Sequence, residues 1–262
     1  MIYSLAKANK AIVAIGVDSE KPSADNIINS AIFAKKHGYA NPIIVCNKKI
    51  TTEVPCIVSN NIEERLIHLL ASGEVEAAIR GNLSARSLLH IMKSIFGCKN
   101  LYRITMMEIT NRPIMLAPVG IDEGDTLEDL IEFALRGKKI AEKFGLDYKV
   151  GVISGGRHED KGRSKKVDEM LEQSEILTKK IEEIGLEVEN FGIEIERAIE
   201  SSNIIIAPDG IIGNLIFRSL VLIANIDSFG AYASALPKVY IDTSRARTGF
   251  LLPIIFASAL AK

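Results

Sequence analysis

The sequence predicts a layered α/β fold. Two observations carry that expectation: short apolar runs alternate with amphipathic stretches as strand, helix, strand, helix through the first hundred residues, and the 262-residue chain is 47% apolar and 25% charged, enough to bury a substantial core. Neither an internal repeat nor a low-complexity tract interrupts it.

The elements follow in order. Ala11–Val17 is a first strand, and after an Asp-Ser turn a helix runs from Pro22 to Gly38. Pro42–Cys46 is a second strand. Asn61–Ala71 has helical spacing through Ile62, Leu66, Leu69 and Leu70, and Val75–Ile79 is a short buried strand ending at the Arg80-Gly81 turn. A helix from Ala85 places Leu88, Leu89 and Met92 on one face and stops at Gly97. Leu101–Glu108 and Pro113–Pro118 form a hairpin about Thr110-Asn111-Arg112. After the acidic loop Asp122–Asp125, a long helix runs from Thr126 to Phe144, with Thr126 as N-cap and Glu128 and Asp129 favourably placed at its positive end. Lys149–Ile153 is a strand, 154–163 a glycine-rich basic loop, and Ser164–Ile184 a helix. Strands at Glu187–Glu189 and Asn203–Ala207 flank a short helix at Glu194–Ser201. Pro208–Asn214 leads as a turn into an apolar helix, Leu215–Ile226. Strands at Phe229–Ala233 and Lys238–Ile241 and a last helix close the chain.

Lys plus Arg total 32 and Asp plus Glu 33. The net charge of −1 offers no basic field for a nucleic-acid backbone. Three scattered cysteines, Cys46, Cys56 and Cys98, form no CxxC pair, which argues against a disulfide framework, a zinc ribbon or an iron–sulfur cluster and for the reducing cytoplasm. No run reaches the roughly 18 apolar residues of a membrane span, and no small-residue cleavage site follows Val17. His37, His68, His90 and His158 stand apart with no metal-ligand spacing. Asp122, Glu123 and Asp125 could gather a cation, but an exposed loop leading a helix is the more general reading of such a run.

In a mostly parallel sheet, ligands settle beyond the carboxyl ends of the strands. Four loops there combine small residues, which admit an anion to the backbone, with Ser, Asn or Arg donors: Arg80–Arg86 (Gly81, Asn82, Ser84, Arg86), 154–163 (Ser154, Gly155, Gly156, Arg157), Pro208–Asn214 (Asp209, Gly213, Asn214) and 242–249 (Ser244, Arg245, Arg247). Together they point to a phosphate-bearing ligand. Each also has a plainer reading, as a solvated basic loop, a turn with a helix cap, or a cap with surface arginines. A GxxxxGK[ST] loop, a GxGxxG fingerprint, a GxSxG elbow and an HExxH helix are all absent.

Taken in order, these loops resemble the phosphate acetyltransferase and butyryltransferase superfamily. Glu76–Asn82 with Ser84 is similar to its D-x-x-V-A-G strand and turn, the Ile140–Leu146 run I-A-E-K-F-G-L to its A-x-x-F-G segment, and Val152-Ile153-Ser154 to its L-S-F-S-T strand and loop. Ala207–Asn214 resembles P-D-L-N-A-G-N, and Asp242–Arg245 resembles D-L-S-R-G. Within the superfamily the chain most resembles an archaeal branch, the methanogenesis marker 4 or methyltransferase subunit X proteins. The resemblance implies three αβα layers in two domains, residues 1–118 with 236–262 and residues 119–235, as in isocitrate and isopropylmalate dehydrogenases, with an interdomain cleft for an acyl phosphate and coenzyme A. It implies Ser244 and Arg245 as the catalytic pair and a homodimer.

Two positions depart from that pattern. Counted from Arg245, the family's second phosphate-binding arginine falls on Leu222, with Arg218 a helical turn earlier, and its aspartate base falls on Leu251. A divergent transferase that binds a phosphate ester or coenzyme A-type ligand is therefore expected, not a standard phosphotransacetylase. The alternative is a methyltransferase subunit, or a non-catalytic accessory partner of methyl-transfer enzymes. Neither a DxHxxG corrinoid motif nor a glycine-rich S-adenosylmethionine loop is present.

Overall fold

The computed structural model describes residues 1–244 and 249–261. Its contacts divide the chain into two compact units, residues 1–101 with 228–262 and residues 102–227. Helices flank the strands in the three-layer αβα manner.

In the first unit, α1 (Ile2–Asn9), β1 (Ile12–Val17), α2 (Ala24–Lys36), β2 (Asn41–Cys46), β3 (Cys56–Val58), α3 (Ile62–Ser72), β4 (Ala77–Ile79) and α4 (Ala85–Phe96) are joined by β10 (Asp227–Ala233), β11 (Val239–Asp242) and α9 (Leu251–Leu260). The strand order is β3-β2-β1-β4-β11-β10. All pairings are parallel except that of β10 with β11. Helices α3 and α4 pack together, and their Leu66, Leu69, Leu88 and Met92 close on Ala14, Ala78 and Tyr240 of the strands. α1, α2 and α9 form another packed group. α9 is apolar all round because Pro253–Leu260 is buried; Pro253 falls in the first turn, where a missing N–H leaves no helical bond unmade.

The second unit contains β5 (Arg103–Ile109), β6 (Arg112–Ala117), α5 (Leu127–Lys143), β7 (Val150–Val152), α6 (Lys165–Glu183), β8 (Val188–Asn190), α7 (Ile195–Ser201), β9 (Ile204–Ile206) and α8 (Gly210–Arg218), the last followed by a π-helical turn at Ser219–Ile223. Its strand order is β5-β6-β9-β7-β8, parallel except for the β5–β6 hairpin. Thr110 and Asn111 take φ of 50° and 61°, and Arg112 already pairs with Ile109, so the turn is a two-residue one of the type that matches strand twist. α5 and α6 pack on each other, α6 also on β7 and β8, and α5 on β9.

The chain passes between the units at Leu101/Tyr102 and Asp227/Ser228, whereas the sequence places the crossings at 118/119 and 235/236. The reason is strand pairing: β6 lies between β5 and β9, and β10 pairs with β11. Other differences are local. α1 and β3 are short elements that the sequence pattern does not announce. α8 starts at Gly210, five residues before the expected Leu215, because Asp209 caps it by accepting the Ile212 N–H at 2.7 Å. Glycine disfavours a helix, yet a Cβ at Gly210 would lie 1.7 Å from the Gly120 carbonyl oxygen and one at Gly213 1.9 Å from that of Pro118. Close docking of α8 on the 118–123 loop decides the residue type there.

Candidate functional site

In the first unit, β1, β4 and β11 are parallel neighbours, so their carboxyl ends bring together Asp18–Ser23, Arg80–Ser84 and Asp242–Ser244. Asn82 is wholly buried between them. Its Oδ1 accepts the Asp18 N–H at 2.7 Å, and its Nδ2 donates to the Asp18 carbonyl at 3.0 Å and the Ser23 hydroxyl at 3.3 Å. Lys21 Nζ donates to the Asn82 carbonyl at 2.8 Å and pairs with Asp18 at 3.2 Å. Asn47, just beyond β2, accepts from the Ser19 N–H and hydroxyl at 3.0 and 2.7 Å. The Thr243 hydroxyl donates to the Gly81 carbonyl at 2.8 Å, which fixes the segment carrying Ser244 against the β4–α4 turn.

Gly81 is required at that turn twice over: its φ is +65°, and a Cβ would lie 1.8 Å from the Gly16 carbonyl oxygen. Arg80 is buried and faces Asp242 as an ion pair whose atoms are not aligned for a hydrogen bond. The Ser84 hydroxyl, at the N-cap of the 12-residue α4, makes no capping bond, and the first turn of α4 has no acidic residue. Arg86 is exposed in that turn. Arg245 and Arg247 lie outside the described residues.

The expected residues of the second unit have internal partners. Ser154 is buried and, among the described residues, its hydroxyl reaches only the Gly156 carbonyl, at 3.4 Å. Gly155 and Gly156 make room for α6, since Cβ atoms there would lie 2.5 Å from Met170 Sδ and 2.8 Å from Val167 Cγ1. Arg157 is half-exposed and pairs with Glu194 at 3.5 Å, while its N–H donates to Asp160 at 2.9 Å. That N–H and the neighbouring Arg163 hold the Asp160 carboxyl below its ordinary range; Arg197, with help from Arg157, does the same to Glu194. Asp209 caps α8, and Asn214 Nδ2 donates to the Val119 carbonyl at 2.8 Å. Arg218 stands exposed in the last turn of α8. Leu222 lies in the π-helical turn and Leu251 opens α9, so apolar side chains occupy both counted positions.

The acidic run 122–125 is exposed at Asp122 and Asp125, as expected of a loop leading a helix, but is anchored at Glu123. Glu123 is buried, and its Oε2 accepts the Arg103 backbone N–H and Nε at 3.1 and 3.2 Å, while Arg103 Nη2 meets Asp122. Among the described residues no group of three or more His, Cys, Asp or Glu could hold a metal ion, and no helix is long and apolar enough to cross a membrane. The sequence pattern missed Asp18, Lys21 and Asn47. A polar residue directly after each parallel strand was the available signal, because Asp18 and Asn47 follow β1 and β2 just as Arg80 follows β4.

These strand ends belong to a recognisable class of fold. The chain superposes on a branched-chain phosphotransacylase from Enterococcus faecalis V583 with a TM-score of 0.74 and 17% identity, covering 95% of this chain and 99% of that one. It superposes on the EutD phosphotransacetylase from Staphylococcus aureus with a TM-score of 0.67 and 16% identity, over 100% and 98% of the two chains. The protein therefore has the two-domain αβα fold of the phosphotransacylases; at these identities the likeness speaks for fold alone. No family model matches the chain. The “Putative methyltransferase mtx subunit X” of Methanosarcina barkeri is 38% identical over 261 residues, 98% of this chain and 95% of that protein. The chain belongs to the methyltransferase mtx subunit X family.

Proposed function

We propose that the first unit binds a phosphate ester, of the coenzyme A or acyl phosphate class, at the start of α4, and that the protein is a divergent acyltransferase-like transferase. The observation that carries this is the Thr243–Gly81 hydrogen bond, which holds the segment of Ser244 against a helix N-terminus whose Ser84 hydroxyl makes no capping bond. Backbone N–H groups at such an end, the Ser84 hydroxyl and the Arg86 guanidinium are the donors an anionic oxygen seeks. In sequence, Arg245 and Arg247 follow directly. Leu251 and Leu222 supply neither a base nor a cation, so standard phosphotransacetylase turnover is not proposed.

The test is a thermal-shift and calorimetric panel of inorganic phosphate, acetyl phosphate, coenzyme A and S-adenosylmethionine. A ligand at 100 times its dissociation constant adds about 2.7 kcal/mol of stability. Binding of coenzyme A or phosphate that weakens about tenfold in Arg86→Ala and Ser84→Ala supports the site; equal affinity in both variants removes it.

A second reading, an accessory subunit of methyl-transfer enzymes or a self-pairing subunit, is favoured by the apolar face of α8 and the π-helical turn. Ile211, Leu215 and Ile223 there are 58%, 60% and 78% exposed. Sedimentation of Leu215→Glu against the parent chain tests it, since a surface used for pairing would give a lighter species.

A further inference from the structure

The second unit holds a pocket of about 150 Å³ where the start of α5 meets α6 at the carboxyl ends of β7 and β9. Its walls are Leu130, Val152, Met170, Ile176 and Leu177. Two glycines shape it. A Cβ at Gly124, which has φ of +82°, would crowd Pro118 and Leu130, and one at Gly155 would collide with Met170. The floor is made by strand residues of the core, whereas Ile176 at the rim is 43% exposed.

We propose that this pocket binds a small amphiphile without negative charge, a short hydrocarbon group ending in an amide or alcohol. Size and polarity both follow from the walls. A cavity of about 150 Å³ lined by aliphatic side chains accommodates a group the size of benzene, or a chain of about five carbons. Ile176 and the neighbouring wall residues supply apolar area that such a chain would remove from water.

The polar groups around the pocket select against charge in one direction. Asp125 is the one charged residue of the lining, and no lysine, arginine or histidine is among it. The α5 N-terminus would otherwise attract an anion, but its first turn already carries Glu128 and Asp129, and Thr126 Oγ1 accepts the Asp129 N–H at 3.1 Å. A carboxylate or phosphate entering there would meet the Asp125 carboxylate and no cation of the lining, beside a helix end whose positive pole Glu128 and Asp129 already offset. Gln173, exposed beside Ile176, has a side-chain amide that forms no hydrogen bond within the described residues; it can donate to a carbonyl or hydroxyl oxygen and accept from an amide N–H. The neighbouring Ser174 is already engaged, donating to the Leu171 carbonyl at 2.8 Å and accepting from Asn190 at 3.0 Å.

The inference stands apart from the phosphate reading, whose residues all belong to the other unit. Its experiment titrates the full-length, methyl-labelled protein with pentanamide and pentanoate, following the Leu130, Met170, Ile176 and Leu177 methyl resonances. Pentanamide is expected to saturate these shifts with a dissociation constant on the order of millimolar, as suits so small a ligand, and pentanoate to bind at least tenfold more weakly. Leu130→Trp fills the cavity and abolishes the shifts. Because an indole there could disturb folding, the rim variants Ile176→Asp and Gln173→Ala serve as controls with the melting temperature kept, each weakening pentanamide several-fold. The proposal is overturned by non-saturable shifts, by pentanoate binding as well as pentanamide, or by binding that persists in the filled and rim variants.

Discussion

Each unit of the molecule buries an arginine at the end of its strands, and the two solve the resulting charge problem differently. Arg80, following β4, faces Asp242 at the end of the neighbouring parallel strand β11, in an ion pair without hydrogen-bond alignment. Arg103, at the start of β5, is gripped by Glu123 through its own backbone N–H as well as its Nε, and has Asp122 as a second carboxylate. The second arrangement closes a loop: a Cβ at Gly120 would collide with both Arg103 and Glu123. The first leaves small polar residues, Ser84 and Ser244, at the strand ends beside it. Similar residue types thus serve as internal fastening in one unit and as the lining of a candidate ligand site in the other.

The largest effect should come from breaking those pairs. Removing one partner strands a buried guanidinium, so Asp242→Ala and Glu123→Ala should each destabilise by about 3–5 kcal/mol in urea unfolding. Glu123→Ala should be the milder because Asp122 remains beside Arg103; the reverse order would show that the second carboxylate contributes nothing.

Next come the glycines. Gly81→Ala and Gly213→Ala, whose added Cβ would strike backbone carbonyl oxygens, should each cost about 2–3 kcal/mol. Gly97→Ala, with φ of +66° but nothing within 4 Å, should cost about 1 kcal/mol. A smaller contrast separates the two asparagines. Asn82→Ala loses three hydrogen bonds in a buried position and should cost about 2–3 kcal/mol, while Asn214→Ala loses one and should cost about 1 kcal/mol.

Titration separates the units again. Burial, with Cys56 Sγ at 2.6 Å, pushes the Cys46 thiol up to about 12. A thiol whose pKa is raised by folding stabilises the fold while both states are protonated, and that stability drains away as pH climbs from the usual thiol range, about 8.5, towards the folded value. Alkylation at pH 8 should therefore modify Cys56 and Cys98 at least tenfold faster than Cys46, as peptide mapping would read. In the second unit the sign reverses. The lowered Asp160 and Glu194 carboxyls support the 157–163 loop above their ordinary range and release it as pH falls through the lowered values. The expected outcome, the smallest of the set, is faster hydrogen exchange in this exposed loop under acid, with the rest of the unit unchanged.

Much of the candidate site was legible. Gly81, Asn82, Ser84 and Ser244 follow apolar strands directly, and strand ends in a parallel sheet converge wherever the pairing puts them. Their partners were not legible, because Asp18, Lys21 and Asn47 are ordinary polar residues until β1 and β2 are set beside β4. The start of α8 was hidden for a related reason: two glycines read as a turn unless the Gly120 and Pro118 carbonyls pressing on them are known.

The alternation of strands and helices, the cap at Thr126 and the positions of the strand-end loops are written in the local pattern of residues, since periodicity and capping act over a few neighbouring residues. Tertiary structure alone decided where the chain passes between units, which glycines are demanded by contact, and which polar residues are held internally. Those choices depend on close approaches between segments far apart in sequence, as in the Thr243–Gly81 bond across 162 residues, and no local pattern encodes a distance of that kind.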